Sequence, residues 1–226
     1  SVAKELNMKN TVFKNSTGWP DPDQNTSARD LSILASSLIK DFPELYKMFS
    51  EQSFTFNGIK QGNRNPILYN NLVFGADGLK TGHTQESGYG LVASAIRGNL
   101  RFVLILNGMT SMRQRKQESA RLLNSAFREF KKVNFYKANQ KVTDAKVFLG
   151  ENNSVPLIVK EDIDLLLNSV EKREMNIKAK WNEPISAPIQ KGTEIGKLII
   201  KISDEKVLSF PLFSGEEVKK QGFLKR

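Results

Sequence analysis

The chain has 226 residues, 39% of them hydrophobic and 26% charged, so it is long enough to bury a core in one or two globular domains. Its formal net charge of +10 favours anionic partners, and the absence of cysteine excludes a disulfide framework and a thiolate nucleophile. No apolar run approaches the roughly 20 residues of a membrane-spanning helix, and no motif typical of nucleic-acid binding is present, so we expect neither a membrane span nor a nucleic-acid partner.

The first predicted element is an amphipathic helix that ends before Pro43. Either Thr26 or Ser27 can supply the hydroxyl that caps its amino terminus, and Asp30 lies in the first turn, where a carboxylate is favoured. Three leucines at helical spacing predict the face that packs against the rest of the protein: Leu31, Leu34 and Leu38.

The sequence predicts β structure after this helix. The Asn/Gly-rich stretch NGIKQGNRNP, residues 57–66, indicates a long loop or a hairpin connection. The apolar runs GYGLVASAI and LRFVLILNG are separated by Arg-Gly-Asn, which predicts a central antiparallel hairpin. A second helix follows, and its apolar residues share one side, which predicts that it covers the sheet: Leu122, Leu123, Ala126, Phe127 and Phe130.

The second half of the chain alternates apolar and polar residues at period two, as β-strands do. The runs KLIIKIS and VLSFPLF flank a turn-like Ser-Asp-Glu-Lys stretch at residues 203–206. An earlier strand is predicted from four alternating residues: Met175, Ile177, Ala179 and Trp181. We therefore expect an α+β domain over residues 1–132 and a small all-β domain over residues 133–226.

The stretch ADGLKTGHT, residues 76–84, predicts a strand that runs into a turn and contains the only histidine of the chain. Gly82 leaves space for a ligand close to the strand, Thr81 offers a hydroxyl, and Lys80 supplies a positive charge. These residue types suit an extended peptide that ends in a carboxylate. A strand that simply ends in a Thr-Gly turn satisfies the Lys-Thr-Gly string equally well.

Three longer stretches place this string in a wider context: NMKNTVFKNSTGWPDPDQNTSARDLSILASSLIKDFPELYKMFSEQSFTFNGIKQGNRNPILYNN, DGLKTGHTQESGYGLVASA and RKQESARLLNSAFREF. In this order they resemble the later part of a low-molecular-mass penicillin-binding protein, a serine D-alanyl-D-alanine carboxypeptidase of the peptidase S11 type. The resemblance covers residues 1 to about 132, and the second half is similar to the family's C-terminal domain. It implies part of a β-lactamase/transpeptidase-like domain, an antiparallel sheet covered by helices, followed by a small all-β domain.

The resemblance implies roles for the Lys-Thr-Gly-His stretch. Lys80 matches the family lysine whose charge supports substrate or β-lactam binding beside the nucleophile, and Thr81 matches the hydroxyl that bonds the substrate's terminal carboxylate. Gly82 belongs to the same substrate-binding edge. The backbone N–H of His83 matches an oxyanion-hole donor, so Lys80 and His83 are the predicted catalytic residues. A role of the His83 ring as a proton shuttle is the less favoured alternative.

Two arginines complete the predicted site. Arg64, in GNRNP, and Arg115, in QRKQES, match family arginines near the carboxylate-binding end of the cleft. A guanidinium suits a carboxylate better than an ammonium does. Without the resemblance, both residues would be interpreted as solvated surface charges. No metal and no other cofactor is implied.

The reaction implied is acyl transfer, in which a serine attacks the D-Ala-D-Ala amide and water hydrolyses the acyl-enzyme. In the family this serine lies in Ser-x-x-Lys, with a Ser-x-Asn element between it and Lys-Thr-Gly, and this sequence has no Ser-x-Asn. Ser37-Leu-Ile-Lys40 matches the first string, but it lies in a segment that resembles a later helix of the family. We therefore expect the C-terminal two thirds of such an enzyme, inactive without a missing N-terminal segment that carries the nucleophile.

The expected ligands are peptidoglycan stem peptides that end in D-Ala-D-Ala, and β-lactams. The resemblance implies a periplasmic protein, peripheral to the inner membrane through a C-terminal amphipathic helix. Only a possible start of that helix, with Val218 and Phe223, falls in this sequence. The alternatives are a non-catalytic peptidoglycan-binding or scaffold fragment and, least favoured, a basic module for nucleic acid or anionic lipid.

Overall fold

The computed structural model describes residues 2–222, and the chain divides into two compact units after Arg128. The described part of the first unit contains four α-helices and five strands, besides two short 3₁₀ helices: α1 (Val2–Glu5), α2 (Ala28–Asp41), α3 (Pro43–Tyr46), β1 (Ser53–Phe56), β2 (Ile59–Gly62), β3 (Ala76–Thr84), β4 (Gly88–Arg97), β5 (Leu100–Met109) and α4 (Met112–Glu129).

Helix α2 begins where the sequence predicts. The Ser27 side chain accepts a hydrogen bond from the backbone N–H of Asp30 at 3.1 Å. Asp30 is 2% exposed, and its carboxylate accepts hydrogen bonds of 2.7 Å from the backbone N–H of Asn10 and the hydroxyl of Thr11. The aspartate of the first turn therefore also fastens the preceding loop to the helix.

The packed face of α2 differs in part from the prediction. Ala35 is buried, and Leu38 packs with it in a small cluster that includes Leu79 of β3. Leu31 and Leu34 are only partly buried. A methyl side chain at Ala35 leaves room for the sheet at that position, so the contact face is centred on Ala35 rather than on the first two leucines.

The central sheet is antiparallel with the order β3-β4-β5, which confirms the predicted hairpin. Strand β3 lies at its edge and, among the residues that the structure describes, pairs with β4 alone, so that Thr81 faces Leu91 and His83 faces Tyr89. Helix α4 contributes the buried Leu123 and Phe127 to the core with the sheet, as predicted, whereas the other three residues of the predicted face are only partly buried: Leu122, Ala126 and Phe130.

The predicted turn between the first helix and the sheet is a two-stranded hairpin. Strands β1 and β2 pair antiparallel around Asn57 and Gly58, which have positive φ angles of 49° and 75°. This is the geometry that an Asn-Gly pair adopts at low steric cost. The Asn-Gly dipeptide therefore specified a hairpin rather than an irregular loop.

The second unit is β-rich. Its elements are β6 (Lys131–Tyr136), β7 (Lys141–Phe148), β8 (Ser154–Ile158), β9 (Ile163–Leu167), α5 (Ser169–Glu174), β10 (Asn176–Trp181), β11 (Ile185–Ser186), β12 (Glu194–Lys201) and β13 (Val207–Ser214). A six-stranded sheet has the order β10-β12-β13-β8-β7-β11, and β6 pairs with β9 in a separate sheet. The predicted fold class, an α+β domain followed by a small all-β domain, is confirmed.

Two details of the second unit differ from the sequence-based expectation. The expected domain boundary at residue 132 falls inside β6, which begins at Lys131. The short helix α5 was not predicted; it is stabilised by a capping box in which Asn168 and Glu171 each accept a hydrogen bond from the other's backbone N–H. Six residues are too few to show a helical period in a sequence.

The expectation for the C-terminal segment is wrong at Val218. This residue forms an antiparallel bridge with Ile189 and is 1% exposed, so it belongs to the core of the second unit and starts no amphipathic helix. Phe223 lies outside the described residues. Within residues 2–222, no helix is both long enough and apolar enough to cross a bilayer.

Candidate active site

An open groove in the first unit is lined by the loop of residues 13–26, the end of β3 with the turn after it, and the first turn of α4. All six residues that the sequence analysis singled out line this groove: Arg64, Lys80, Thr81, Gly82, His83 and Arg115. The fold therefore brings together residues that are up to 51 positions apart in the chain, Arg64 and Arg115.

The Lys-Thr-Gly-His stretch occupies the last part of the edge strand β3. Lys80 and His83 are exposed, Thr81 is partly buried, and the Lys80 ammonium donates a hydrogen bond to the Thr81 carbonyl oxygen at 2.5 Å. A Cβ at Gly82 would meet no atom within 4 Å, so packing inside this chain does not require a glycine there. An extended ligand lying along the strand would use this open space.

Arg115 is the most confined charge in the groove. The residue is 7% exposed, one of its guanidinium N–H groups donates a long hydrogen bond of 3.4 Å to the Gly82 carbonyl oxygen, and Nε has no partner among the described residues. Burial lowers the pKa of Arg115, and the nearby Tyr89 acts in the opposite direction. Guanidinium groups form strong charge-assisted hydrogen bonds with carboxylates.

Tyr89 links Arg115 to His83. Its ring lies 3.9 Å from the His83 ring, centroid to centroid, and the Arg115 guanidinium carbon lies 5.5 Å from the centroid of the Tyr89 ring. The sequence analysis missed Tyr89. The hairpin register would have revealed it, because residues 83 and 89 face each other across the β3–β4 turn.

Arg64 is exposed at the groove, and two buried or partly buried asparagines fix the loop that carries it. Asn65 is 1% exposed and donates a hydrogen bond of 2.8 Å to the Gly78 carbonyl oxygen, while Asn63 donates to the carbonyl oxygens of Phe49 and Glu51. Arg64 itself forms no ion pair with any residue in the described range 2–222. Its guanidinium is therefore available to an anionic ligand.

The Ser37-x-x-Lys40 string lies elsewhere. Ser37 is on α2, its hydroxyl donates a hydrogen bond to the Asp41 carboxylate, and it does not line the groove. The same string recurs at Ser1, which is outside the described residues, and at Ser169 and Ser203 in the second unit. Four occurrences in one chain show that the string by itself carries little information.

Comparison with known proteins identifies relatives of both units. A family model described as D-alanyl-D-alanine carboxypeptidase matches residues 1–110, and one described as penicillin-binding protein 5, C-terminal domain, matches residues 130–220. D-alanyl-D-alanine carboxypeptidase DacA of Haemophilus influenzae is 35% identical over 210 residues, which are 91% of this chain and 53% of that protein. DacA of Escherichia coli is 34% identical over 226 residues, with 99% and 55% covered.

A solved structure supports the same relationship. The crystal structure of penicillin-binding protein 5 from Haemophilus influenzae matches with a TM-score of 0.73 and 35% identity, over 97% of this chain and 64% of that chain. The chain spans about half the length of the curated relatives it matches.

Proposed function

Because this chain belongs to the D-alanyl-D-alanine carboxypeptidase family, we propose that its groove binds the D-Ala-D-Ala end of peptidoglycan stem peptides. The proposed reaction of the whole protein removes the terminal D-Ala through an acyl-enzyme, and β-lactams would bind the same groove. One observation carries the proposal: two arginines, Lys80 and the Thr81 hydroxyl converge on an edge strand that has open space at Gly82.

The terminal carboxylate of the substrate is the natural partner of Arg115. Arg115 lines the groove, and the hydrogen bond that its guanidinium donates to Gly82 is long, at 3.4 Å, which supports this assignment; a charge-assisted hydrogen bond contributes roughly 1.5–3 kcal/mol. Thr81 adds a neutral hydroxyl donor, and the exposed Arg64 and Lys80 supply longer-range attraction. If the protein binds both the terminal carboxylate and the backbone of the substrate, the scissile amide is held against β3.

His83 contributes its backbone rather than its ring in this proposal. The ring packs on Tyr89, whereas the backbone N–H belongs to the edge strand along which the substrate would lie. A positioned oxyanion donor is worth about 3 kcal/mol of transition-state stabilisation. A serine oxygen would form the acyl bond, the amide C–N bond would break, and D-Ala would leave with the transferred proton.

We infer that this serine is supplied by residues other than those of the present sequence. Ser37, the one string match weighed as a nucleophile, is hydrogen-bonded to Asp41 and lies outside the groove, which supports the inference. In this proposal the whole protein acts in the periplasm and is attached peripherally to the inner membrane. The same observation favours a second candidate, in which this chain binds peptidoglycan without catalysis.

Titration with a dipeptide tests the binding proposal. Acetyl-D-Ala-D-Ala should bind the chain more tightly than acetyl-D-Ala-L-Ala, and Thr81→Val, which replaces the hydroxyl by a methyl of similar size, should weaken binding about 5- to 10-fold. Equal binding of both dipeptides, or no effect of Thr81→Val, would refute the assigned edge.

Intact mass spectrometry after incubation with a penicillin separates the two candidates. The chain alone should acquire no adduct under either candidate, and an adduct on any of its serines, whether Ser37 or the groove-lining Ser16 and Ser87, would overturn the inference about the nucleophile. In the full-length protein, the carboxypeptidase proposal requires a penicillin adduct, and Lys80→Ala should abolish it while the fold is retained. A full-length protein that binds the dipeptide but never acylates would favour the non-catalytic candidate.

A further inference from the structure

The six-stranded sheet of the second unit ends on one side in a long strand. Strand β10 is the first in the order β10-β12-β13-β8-β7-β11, and within residues 2–222 it pairs with β12 alone. The terminal strand at the opposite end, β11, has two residues, whereas β10 has six. A terminal strand carries unpaired N–H and C=O groups along its outer side, so β10 offers roughly 20 Å of backbone to a further strand.

The core-facing side of β10 is apolar and incompletely covered. Ile177, Ala179 and Trp181 pack against the core of the second unit but are only partly buried. The residues opposite the first two on β12, Ile200 and Leu198, are 0% and 1% exposed. The apolar layer is therefore closed at β12 and open at the outer margin of β10. An added strand with apolar residues on this side would remove more of the layer from water.

The other side of the strand is basic. Lys178 and Lys180 are exposed, and Lys197 of β12 lies directly opposite Lys180. None of these three lysines forms an ion pair with a residue in the described range, whereas Lys201 of β12 is paired with Asp204 at 2.5 Å. Like charges that face each other across a strand pair repel. An anionic partner would relieve this repulsion.

The end of β10 packs closely on its neighbour and leaves a hollow beside it. A Cβ at Gly196 of β12 would lie 2.4 Å from the Lys180 carbonyl oxygen and 2.7 Å from the Trp181 Cβ, so this approach requires glycine. The open hollow of about 750 Å³ has an apolar lining from both strands: Ala179, Trp181, Ile195 and Ile199. Glu183 and Glu194 also line it, so the hollow suits an apolar side chain of an added strand better than an acidic one.

Charge and backbone together select the occupant of this edge. Phospholipid headgroups or a nucleic acid would meet the lysines but leave the outer backbone groups of β10 without partners. A second copy of the chain, paired symmetrically about Ala179, would place Lys178 opposite Lys180 and bring like charges together. An extended segment with acidic residues at alternate positions meets both requirements, and the lysines disfavour strands that lack such residues.

We propose that β10 is a docking edge for an extended acidic segment of another protein, which adds an antiparallel strand to the sheet. Acidic residues of the segment lie beside Lys178 and Lys180, and the intervening apolar residues lie beside Ile177, Ala179 and Trp181. Antiparallel pairing continues the arrangement of β10, β12 and β13. The edge belongs to the second unit and does not depend on which ligand the groove of the first unit binds.

Four peptides with acetyl and amide ends test the docking edge on the full chain. Glu-Val-Glu-Val-Glu-Val-Glu alternates acidic and apolar residues, and Glu-Glu-Val-Val-Val-Glu-Glu has the same composition without the alternation. The alternating peptide should bind about 5- to 10-fold more tightly in isothermal titration. Two further versions of it carry N-methyl groups on the valines or on the two inner glutamates. One version should lose at least about 10-fold in affinity and the other should not, because only alternate N–H groups of a strand face its neighbour.

Substitutions locate the binding site. Lys178→Gln combined with Lys180→Gln should weaken binding of the alternating peptide about 3- to 10-fold, because each exposed ion pair contributes little by itself. Lys146→Gln combined with Lys191→Gln is the matched control, since it removes the same charge from exposed positions of the second unit outside β10 and β12, and it should leave the affinity unchanged. Circular dichroism checks that both variants are folded. In hydrogen exchange, the bound peptide should protect amides within residues 176–181.

Four results would overturn the proposal. Equal binding of the alternating and grouped peptides, or full affinity of both N-methylated versions, would show attraction by charge without strand pairing. Binding by none of the four peptides would refute the edge, and if phosphatidylglycerol vesicles are then bound through Lys178 and Lys180, the basic face belongs to a lipid surface. Dimerisation in sedimentation that protects residues 176–181 without peptide would assign the edge to a second copy. Failure of the chain to bind acetyl-D-Ala-D-Ala would refute the proposed function and leave the docking edge standing.

Discussion

Replacing Arg115 by methionine should separate its role in binding from its role in stability. Methionine keeps an unbranched side chain of similar length and removes the guanidinium. A buried donor without a partner costs about 1–3 kcal/mol, and Arg115 has one at Nε. The contact of its guanidinium carbon with the Tyr89 ring, at 5.5 Å from the ring centroid, stabilises the folded state by about 0.5–2 kcal/mol. These contributions nearly cancel, so we expect the free energy of unfolding to change by less than about 1 kcal/mol.

Ligand binding should respond much more strongly to the same substitution. Loss of one charge-assisted hydrogen bond to the terminal carboxylate, about 1.5–3 kcal/mol, corresponds to a 10- to 100-fold weaker affinity for acetyl-D-Ala-D-Ala. Urea denaturation followed by tryptophan fluorescence measures the free energy of unfolding, and isothermal titration measures the affinity for the dipeptide. Arg115→Lys keeps the charge but not the planar fork, so its affinity should be intermediate.

The opposite pattern would refute this reasoning. The reasoning is refuted if Arg115→Met loses more than about 2.5 kcal/mol of stability while its affinity for the dipeptide stays unchanged. In that case Arg115 is a structural residue, and it stabilises the fold by more than the long hydrogen bond to Gly82 suggests. A dipeptide that carries a C-terminal amide provides a further control, because it lacks the carboxylate and should bind the original chain and the methionine variant equally.

Three further substitutions test the packing and electrostatics of the first unit. Burial raises the pKa of Tyr46 to about 12, so the unfolded state ionises first and up to about 3 kcal/mol of stability should be lost between pH 10 and 12; urea titrations should show a shallower loss for Tyr46→Phe. Burial acts to raise the pKa of Asp30, but hydrogen bonds from Thr11 and Asn10 outweigh it and hold that pKa below 3.8. Asp30 therefore stabilises the fold above about pH 4 and loses this effect as pH falls through its folded pKa, so Asp30→Asn should flatten the acid limb of a thermal-unfolding series. Leu123 is 1% exposed, and Leu123→Ala should lower the free energy of unfolding by about 2–5 kcal/mol in urea; a loss below 1 kcal/mol would contradict the packing of α4 on the sheet.

Local features of the fold could be predicted because their signals are local. The hydroxyl before α2, the Asn-Gly pair of the first hairpin and the glycine turn between two apolar runs each determine backbone geometry over a few residues. The Lys-Thr-Gly-His stretch could likewise be assigned to a strand, whereas the ligand that the resemblance implies for it stays a prediction. The capping box of α5 is equally local, but a helix of six residues has no periodicity to detect.

Only the tertiary structure determined which side chains are buried and which are exposed. Arg115 lies in a stretch rich in charges and looks exposed in the sequence, yet the helix turns it inward on the same face as Leu123 and Phe127. Val218 lies in a basic tail that resembles the start of a surface helix, yet it completes a buried bridge with Ile189. Burial depends on partners that are distant in sequence, and Trp19 shows the converse, because it is a large aromatic residue that is 74% exposed. Composition and spacing specify which groups are present, whereas their solvation, and hence their chemistry, is determined by the packing around them.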